Sequence, residues 1–200
     1  MESGLLLAVL PRPIRRSSWY LGRWLGYATW CVSYSLALYG AIVWIVTAHL
    51  PLPIDAEAVC RSIAVYVLFV LSLLTLTMLG STYLPTLGNG VVAVLLFGLG
   101  ILGGLLSRIA ATEGDIKPST MQLFQNLELY ISLAIPTDAL YRRMTHEFYD
   151  FMQIGSDYAS DALGPFANPS VPSDAYLLYC LAYTAVLLVW GARRFSRKDM

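Results

Sequence analysis

Charged residues are scarce in this chain of 200 residues. Asp, Glu, Lys and Arg make up 13% of it, whereas an average soluble domain carries about 25%. Hydrophobic residues make up 57% and fall in long blocks. This composition excludes an ordinary soluble domain and is typical of a membrane protein. The formal net charge is zero, so it indicates no class of partner.

Residues that bind metals or carry out catalysis are also few. The three cysteines lie far apart without a C-x-x-C pair, which argues against a disulfide framework or a zinc site. His49 and His146 are the only histidines. We interpret Glu147 and Asp150, beside His146, as a solvated helical face, because no second histidine or cysteine stands at ligand spacing. We predict no enzyme activity, metal or cofactor for the chain itself.

Nucleotide-binding patterns are missing or misplaced. The chain has no Walker A pattern, so it cannot itself use ATP by that route. Residues 98–104 satisfy G-x-G-x-x-G, but inside an apolar run instead of at a turn from a strand into a helix. We interpret these glycines as a small surface that lets helices approach closely, within one chain in preference to between chains. The predicted helix-packing residues are Gly22, Gly26, Gly98, Gly100 and Gly104.

Four apolar runs are long enough to cross a membrane as helices, which takes about 20 residues. Their interiors hold essentially no ionisable residue, which argues against a proton-coupled transporter or an intramembrane metalloenzyme. A fifth segment, 119–135, is apolar but interrupted by polar residues, and favours a short helix at or dipping into the interface. We predict an all-α integral membrane protein of one domain, residues 1–200, a helical bundle with short helices in a long outer loop. The predicted transmembrane helices cover residues 25–49, 62–80, 87–108 and 175–192.

The charges are distributed unequally between the connecting segments. Eight of the thirteen basic residues precede the first span or follow the last, whereas residues 111–174 hold nine acids and three bases. Basic loops stay in the cytoplasm, so both ends are predicted to be cytoplasmic, which requires an even number of spans. Residues 1–24 and 193–200 are then inside, and the loop 111–174 is outside.

The stretch PRPIRRSSWYLGRWLG, residues 11–26, places four arginines directly before the first span. It is not a signal peptide, because the apolar piece LLLAVL before it is short and the charges follow that piece. So few basic residues beside a membrane segment do not indicate nucleic-acid binding. Contact with anionic lipids is part of its interpretation. The short apolar piece, the Pro-x-Pro turn and the basic segment together indicate a shaped cytoplasmic element.

A second polar motif lies in the long loop. Asp138 follows Pro136 and Thr137 and can cap a helix, and Asp138 and Arg142 form an i,i+4 pair. We favour a capped outer helix, with gating or docking of an outer partner as the alternative. The predicted outer-loop motif comprises Pro136, Thr137, Asp138, Tyr141 and Arg142.

Three segments resemble the permease subunits of ABC transporters of the type-2 exporter class, most closely the group associated with maturation of multi-copper enzymes. Residues 2–26 are similar to the family's cytoplasmic loop. Residues 79–104 resemble its middle spans, and residues 135–143 resemble its outer-loop motif. The resemblance covers most of the chain up to about residue 145. The matching loop residues are Glu2, Gly4, Pro13, Ile14, Arg16, Tyr20, Leu21, Gly22, Arg23 and Gly26.

The resemblance implies a function and a set of partners. The chain would be a permease subunit in a prokaryotic cell membrane, paired with a second permease copy and with a cytoplasmic ATPase that holds ATP and magnesium. Family members have two spans before the coupling loop, so the chain is expected to lack those two. The alternative is a non-transporting anchor or assembly factor that presents its outer loop to a partner protein. The implied ATPase-docking residues are Leu5, Leu6, Leu7, Pro11, Arg12, Pro13, Ile14, Arg15 and Arg16.

Overall fold

The computed structural model describes residues 15–49, 56–112, 118–151 and 172–196. These residues form helices, without a strand among them. The helices are α1 (Arg16–His49), α2 (Ala56–Gly80), α3 (Thr86–Thr112), α4 (Pro118–Ala134), α5 (Thr137–Phe151) and α6 (Asp174–Ser196).

Prolines and hydrogen bonds at the turns set several helix ends. The carbonyl of Gly80 accepts hydrogen bonds from the amides of Tyr83 and Leu84 at 3.0 and 2.9 Å, which closes the turn after α2. Pro118 begins α4, where its missing N–H costs no hydrogen bond. Pro136 cannot continue α4 and instead opens α5, where its carbonyl accepts from the amide of Leu140 at 3.0 Å.

Helix α2 lies at the centre of the bundle and packs against α1, α3, α5 and α6. Polar side chains join it to its neighbours. The indole of Trp24 donates to Thr75 at 3.0 Å, Ser72 and Thr184 share a hydrogen bond of 2.7 Å, and Tyr39 bonds to Ser62. Hydrogen bonds between helices of this kind hold membrane bundles together where the hydrophobic effect between helices is absent.

The two ends of the bundle differ in charge. At one end the start of α1 meets the ends of α2 and α6, and the ring of Trp19 stacks on Phe195 with centroids 5.3 Å apart. We call this the basic end, because Arg16, Arg193 and Arg194 lie there. At the other end α1 finishes and α2 and α6 begin, with Glu57 and Asp174 in their first turns. We call this the acidic end.

Three helices in the described part of the chain are long and apolar enough to cross a membrane: α1, α2 and α6. Helix α3 runs over 27 residues, and its apolar part with described side chains, Thr86–Leu102, is shorter than a span. The predicted fold class, an all-α integral membrane bundle, is confirmed. Each predicted span lies inside one of these four helices, and the long predicted loop contains α4 and α5.

Candidate functional site

Helices α4 and α5 form a hairpin that enters the bundle from the acidic end. Helix α4 packs against α3, and α5 packs against α2 and α3. The turn at Ile135 and Pro136 is the tip of the hairpin, and Pro136 is fully buried. We call this segment, 118–151, the polar hairpin.

The tip lies well inside the bundle. Leu140, just past it, is fully buried against Val65 and Cys180. Val65 is nine residues from the start of α2, or roughly 14 Å at 1.5 Å per residue. The polar hairpin therefore carries charged residues into the interior of the bundle, although the spans themselves have essentially none.

An ion triad lies close to the tip. Arg142 forms an ion pair with Asp138 at 3.1 Å on the same helix, and its Nη1 donates to the carboxylate of Glu128 on α4. The side chains of Arg142 and Asp138 are 6% and 5% exposed, and that of Glu128 is 19% exposed. Burial of charges is costly unless each is paired, so the triad holds α4 and α5 together. We call these three residues the hairpin triad.

A second charged group joins the hairpin to the spans. Arg143 pairs with Glu147 at 2.7 Å, with Asp174 at the start of α6 at 2.8 Å, and donates to the carbonyl of Pro172 at 2.7 Å. The buried carboxylate of Glu147 also lies 3.9 Å from Arg61 on α2. The hairpin is thus tied to both α2 and α6.

Three tyrosines of α6 close the end of α4. The hydroxyls of Tyr176, Tyr179 and Tyr183 donate to the carbonyls of Ser132, Leu133 and Ala134 at 2.6, 2.6 and 2.8 Å. The last carbonyls of a helix have no partner within the helix, and in a membrane such groups cost several kcal/mol each when left unsatisfied. The tyrosines supply the donors that allow α4 to end inside the bundle.

We expect replacement of these tyrosines by phenylalanine to loosen the hairpin. Each change removes one hydroxyl, for an expected loss of about 0.6 kcal/mol in the free energy of unfolding, the average for hydrogen bonds in membrane proteins. Titration of purified protein with SDS measures the loss. Tyr130→Phe is the matched control, because its side chain is 69% exposed. Equal stability of Tyr176→Phe, Tyr179→Phe and the control would contradict this role for the tyrosines.

A close approach between α3 and the tip depends on one predicted helix-packing glycine. A Cβ at Gly100 would lie 3.2 Å from the hydroxyl of Thr137 and 3.6 Å from Cβ of Asp138. Among the described residues, Gly22, Gly26 and Gly98 have no atom within 4 Å of such a Cβ. The packing role predicted for these three glycines stays a prediction. The surroundings of Gly104 lie outside the described side chains.

The residues of the predicted outer-loop motif all belong to the polar hairpin. The pair of Asp138 and Arg142 forms as the i,i+4 spacing indicated. The interpretation of Glu147 as part of a solvated face is wrong, because that residue is 3% exposed. Tyr141 is 43% exposed. Pattern reasoning missed the roles of Glu128, Arg143, Glu147, Arg61 and the three tyrosines. The spacing of the three tyrosines on one face of α6 was the available sequence indication that they contact a common partner.

Most of the implied docking residues, from Leu5 to Ile14, lie outside the described residues. Arg15 directly precedes α1, and its carbonyl accepts from the amides of Ser18 and Trp19 at 2.9 and 3.2 Å. Arg16 is the first residue of α1. Both arginines are exposed at the basic end.

Among the described side chains, no group of three or more His, Cys, Asp or Glu residues could hold a metal ion. What the arrangement provides is mechanical: a buried polar hairpin fixed by ion pairs, and a bundle whose opposite end carries exposed arginines. These features define a multi-pass helical membrane protein.

Comparison with known proteins identifies the family. The model of the ABC-2 family transporter proteins matches residues 1–200. The chain therefore belongs to the ABC-2 transporter family and is a permease-type component of an ABC transporter. Comparison with curated proteins and with solved structures gives no match.

Proposed function

We propose that this chain is the membrane-spanning subunit of an ATP-driven exporter in a prokaryotic cell membrane. A separate cytoplasmic ATPase would bind ATP and magnesium and dock on the basic end, through Arg15, Arg16 and the residues before them. The family match over the whole chain is the observation that supports this proposal.

The packing of the bundle supports a mechanical route between its ends. Helix α1 is continuous from Arg16 to His49, so a push at its start moves the whole helix. At the basic end Tyr20 packs with Met78 of α2 and Phe195 of α6. At the acidic end the polar hairpin is tied to α2 and α6. Closure of the ATPase would therefore reach the hairpin through three packed helices.

Reversing the charge of Arg15 and Arg16 tests the docking. We expect the variant Arg15→Glu plus Arg16→Glu to lose co-purification with the ATPase. The ATP hydrolysis activity of the complex should be lost with it. Arg193→Glu plus Arg194→Glu is the control, because it makes the same charge change at the same end on another helix. Unchanged co-purification and activity of the first variant would refute the coupling role. Capture of an outer protein without any ATPase would instead favour an anchor or assembly factor.

The cysteines provide a test of the proposed orientation. Cys60 is exposed in the first turns of α2 at the acidic end, whereas Cys180 is buried. With both termini in the cytoplasm, a maleimide that cannot cross membranes should label Cys60 in intact spheroplasts. Cys60→Ser supplies the background. Labelling only after permeabilisation would place the acidic end in the cytoplasm and contradict the orientation.

A second permease copy, identical or different, completes the proposed complex. In the part of the chain that the structure describes, no atom lies within 4 Å of a Cβ position at Gly22 or Gly26, which leaves room on α1 for a helix of another chain.

A further inference from the structure

We propose that the basic end binds the headgroup of an anionic phospholipid, such as phosphatidylglycerol, with Arg23 as its central contact. The site lies on the face of α1 that carries Trp19, Arg23 and Tyr27. Its ligand is a phosphate group at the edge of the hydrocarbon layer. This inference does not depend on the proposed function.

Arg23 is held in place by aromatic side chains. Its guanidinium carbon lies 5.5 Å from the ring centroid of Trp19 and 5.3 Å from that of Tyr27. Its Nε and Nη2 donate to the hydroxyl of Tyr27 at 3.1 and 3.0 Å. A guanidinium has five N–H donors in a planar fork that suits phosphate oxygens. Fixing this fork in advance lowers the entropy lost when a phosphate binds.

The depth of Arg23 favours a lipid over a protein surface. It lies seven residues beyond Arg16, or about 10 Å along the helix, and the following residues carry no charge until His49. Trp and Tyr rings such as those beside it prefer the boundary between headgroups and hydrocarbon. A phospholipid phosphate lies at that boundary, whereas a soluble ATPase contacts the surface above it.

The surrounding charge is complementary to an anionic lipid. Arg15, Arg16, Arg193 and Arg194 are exposed at the same end. Arg194 lies over the ring of Tyr83, 5.2 Å from its centroid, which repeats the pairing of arginine with an interfacial aromatic ring. Every acidic side chain that the structure describes lies at the acidic end or on the polar hairpin, namely Glu57, Glu128, Asp138, Glu147 and Asp174.

Competition between two lipids tests the site. The purified full-length chain is mixed with equal amounts of phosphatidylglycerol and phosphatidylcholine, and native mass spectrometry counts the bound lipids. The wild type should retain phosphatidylglycerol in preference. Arg23→Gln should weaken that retention by more than the roughly fivefold effect of removing any one basic residue near an anionic surface. Retention of both lipids in equal amounts by the wild type would overturn the proposal.

Matched variants separate a built site from diffuse attraction. Arg15→Gln makes the same charge change outside the aromatic face and should cost clearly less retention than Arg23→Gln. Arg23→Lys keeps the charge but loses the planar fork, and Tyr27→Phe keeps the charge but loses the hydroxyl that holds it. Both should reduce retention, and they decide the matter if Arg23→Gln fails to fold. Equal losses from Arg15→Gln and Arg23→Gln, or full retention by both Arg23→Lys and Tyr27→Phe, would overturn the site.

Discussion

Arg142→Gln is expected to destabilise the protein by about 3–5 kcal/mol, the cost of removing one partner from a buried ion pair. Glutamine keeps a polar side chain but is shorter than arginine and carries no charge. The carboxylates of Asp138 and Glu128 would then be left without their shared guanidinium in the interior of the bundle. SDS titration of purified protein measures the change in the free energy of unfolding.

Two comparisons make this prediction specific. Arg61→Gln removes an arginine that is half exposed and 3.9 Å from Glu147, and it should cost less than about 1 kcal/mol. The combined variant Glu128→Gln, Asp138→Asn and Arg142→Gln removes all three charges of the hairpin triad, so it should recover much of the loss. If Arg142→Gln were as stable as Arg61→Gln, the triad would not hold the hairpin.

Gly191→Ala is expected to cost about 1–3 kcal/mol, the range for overpacking a filled interior. A Cβ at Gly191 would clash with the hydroxyl of Tyr20 and lie 2.8 Å from the ring carbon that bears it. Tyr20 is 2% exposed and packs with Phe195 and Met78, so its ring has little room to move. The loss should appear in SDS titration and as weaker association of α1 with α6.

The hydroxyl of Tyr20 separates this clash from other effects. It is buried without a hydrogen-bond partner in the described part of the chain, so Tyr20→Phe alone should not destabilise the protein. Combined with Gly191→Ala, Tyr20→Phe should restore part of the lost stability, because the closest contact disappears. Gly22→Ala is the control, because no atom of the described residues lies within 4 Å of its Cβ position. Equal effects of Gly191→Ala and Gly22→Ala would contradict the close packing of α1 and α6.

The spans could be predicted from the sequence because the cost of exposing backbone groups in a membrane makes every long apolar run a helix. The turn after α2 and the pair of Asp138 and Arg142 were also predictable, since both depend on residues close together in the chain. Contacts between distant segments were not. Glu128 meets Arg142 because α4 and α5 fold back into a hairpin, and Glu147 meets Arg61 because that hairpin packs against α2.

The glycines show the same limit. Gly22 and Gly26 have the same spacing as Gly100 and Gly104, yet only Gly100 is shown to meet another helix of the chain. Spacing places residues on one face of a helix, but it does not determine which neighbour that face meets. The charge of Glu147 gave no indication of its burial, because the arginines that compensate it lie on two different helices.

A single measurement tests the proposal that this permease couples to a separate ATPase. The rate of ATP hydrolysis is measured for the ATPase alone and for the ATPase with this chain, in nanodiscs that contain phosphatidylglycerol. We predict a higher rate in the complex, a loss of that increase with Arg15→Glu plus Arg16→Glu, and its retention with Arg193→Glu plus Arg194→Glu. A rate that is the same with and without this chain would contradict the account.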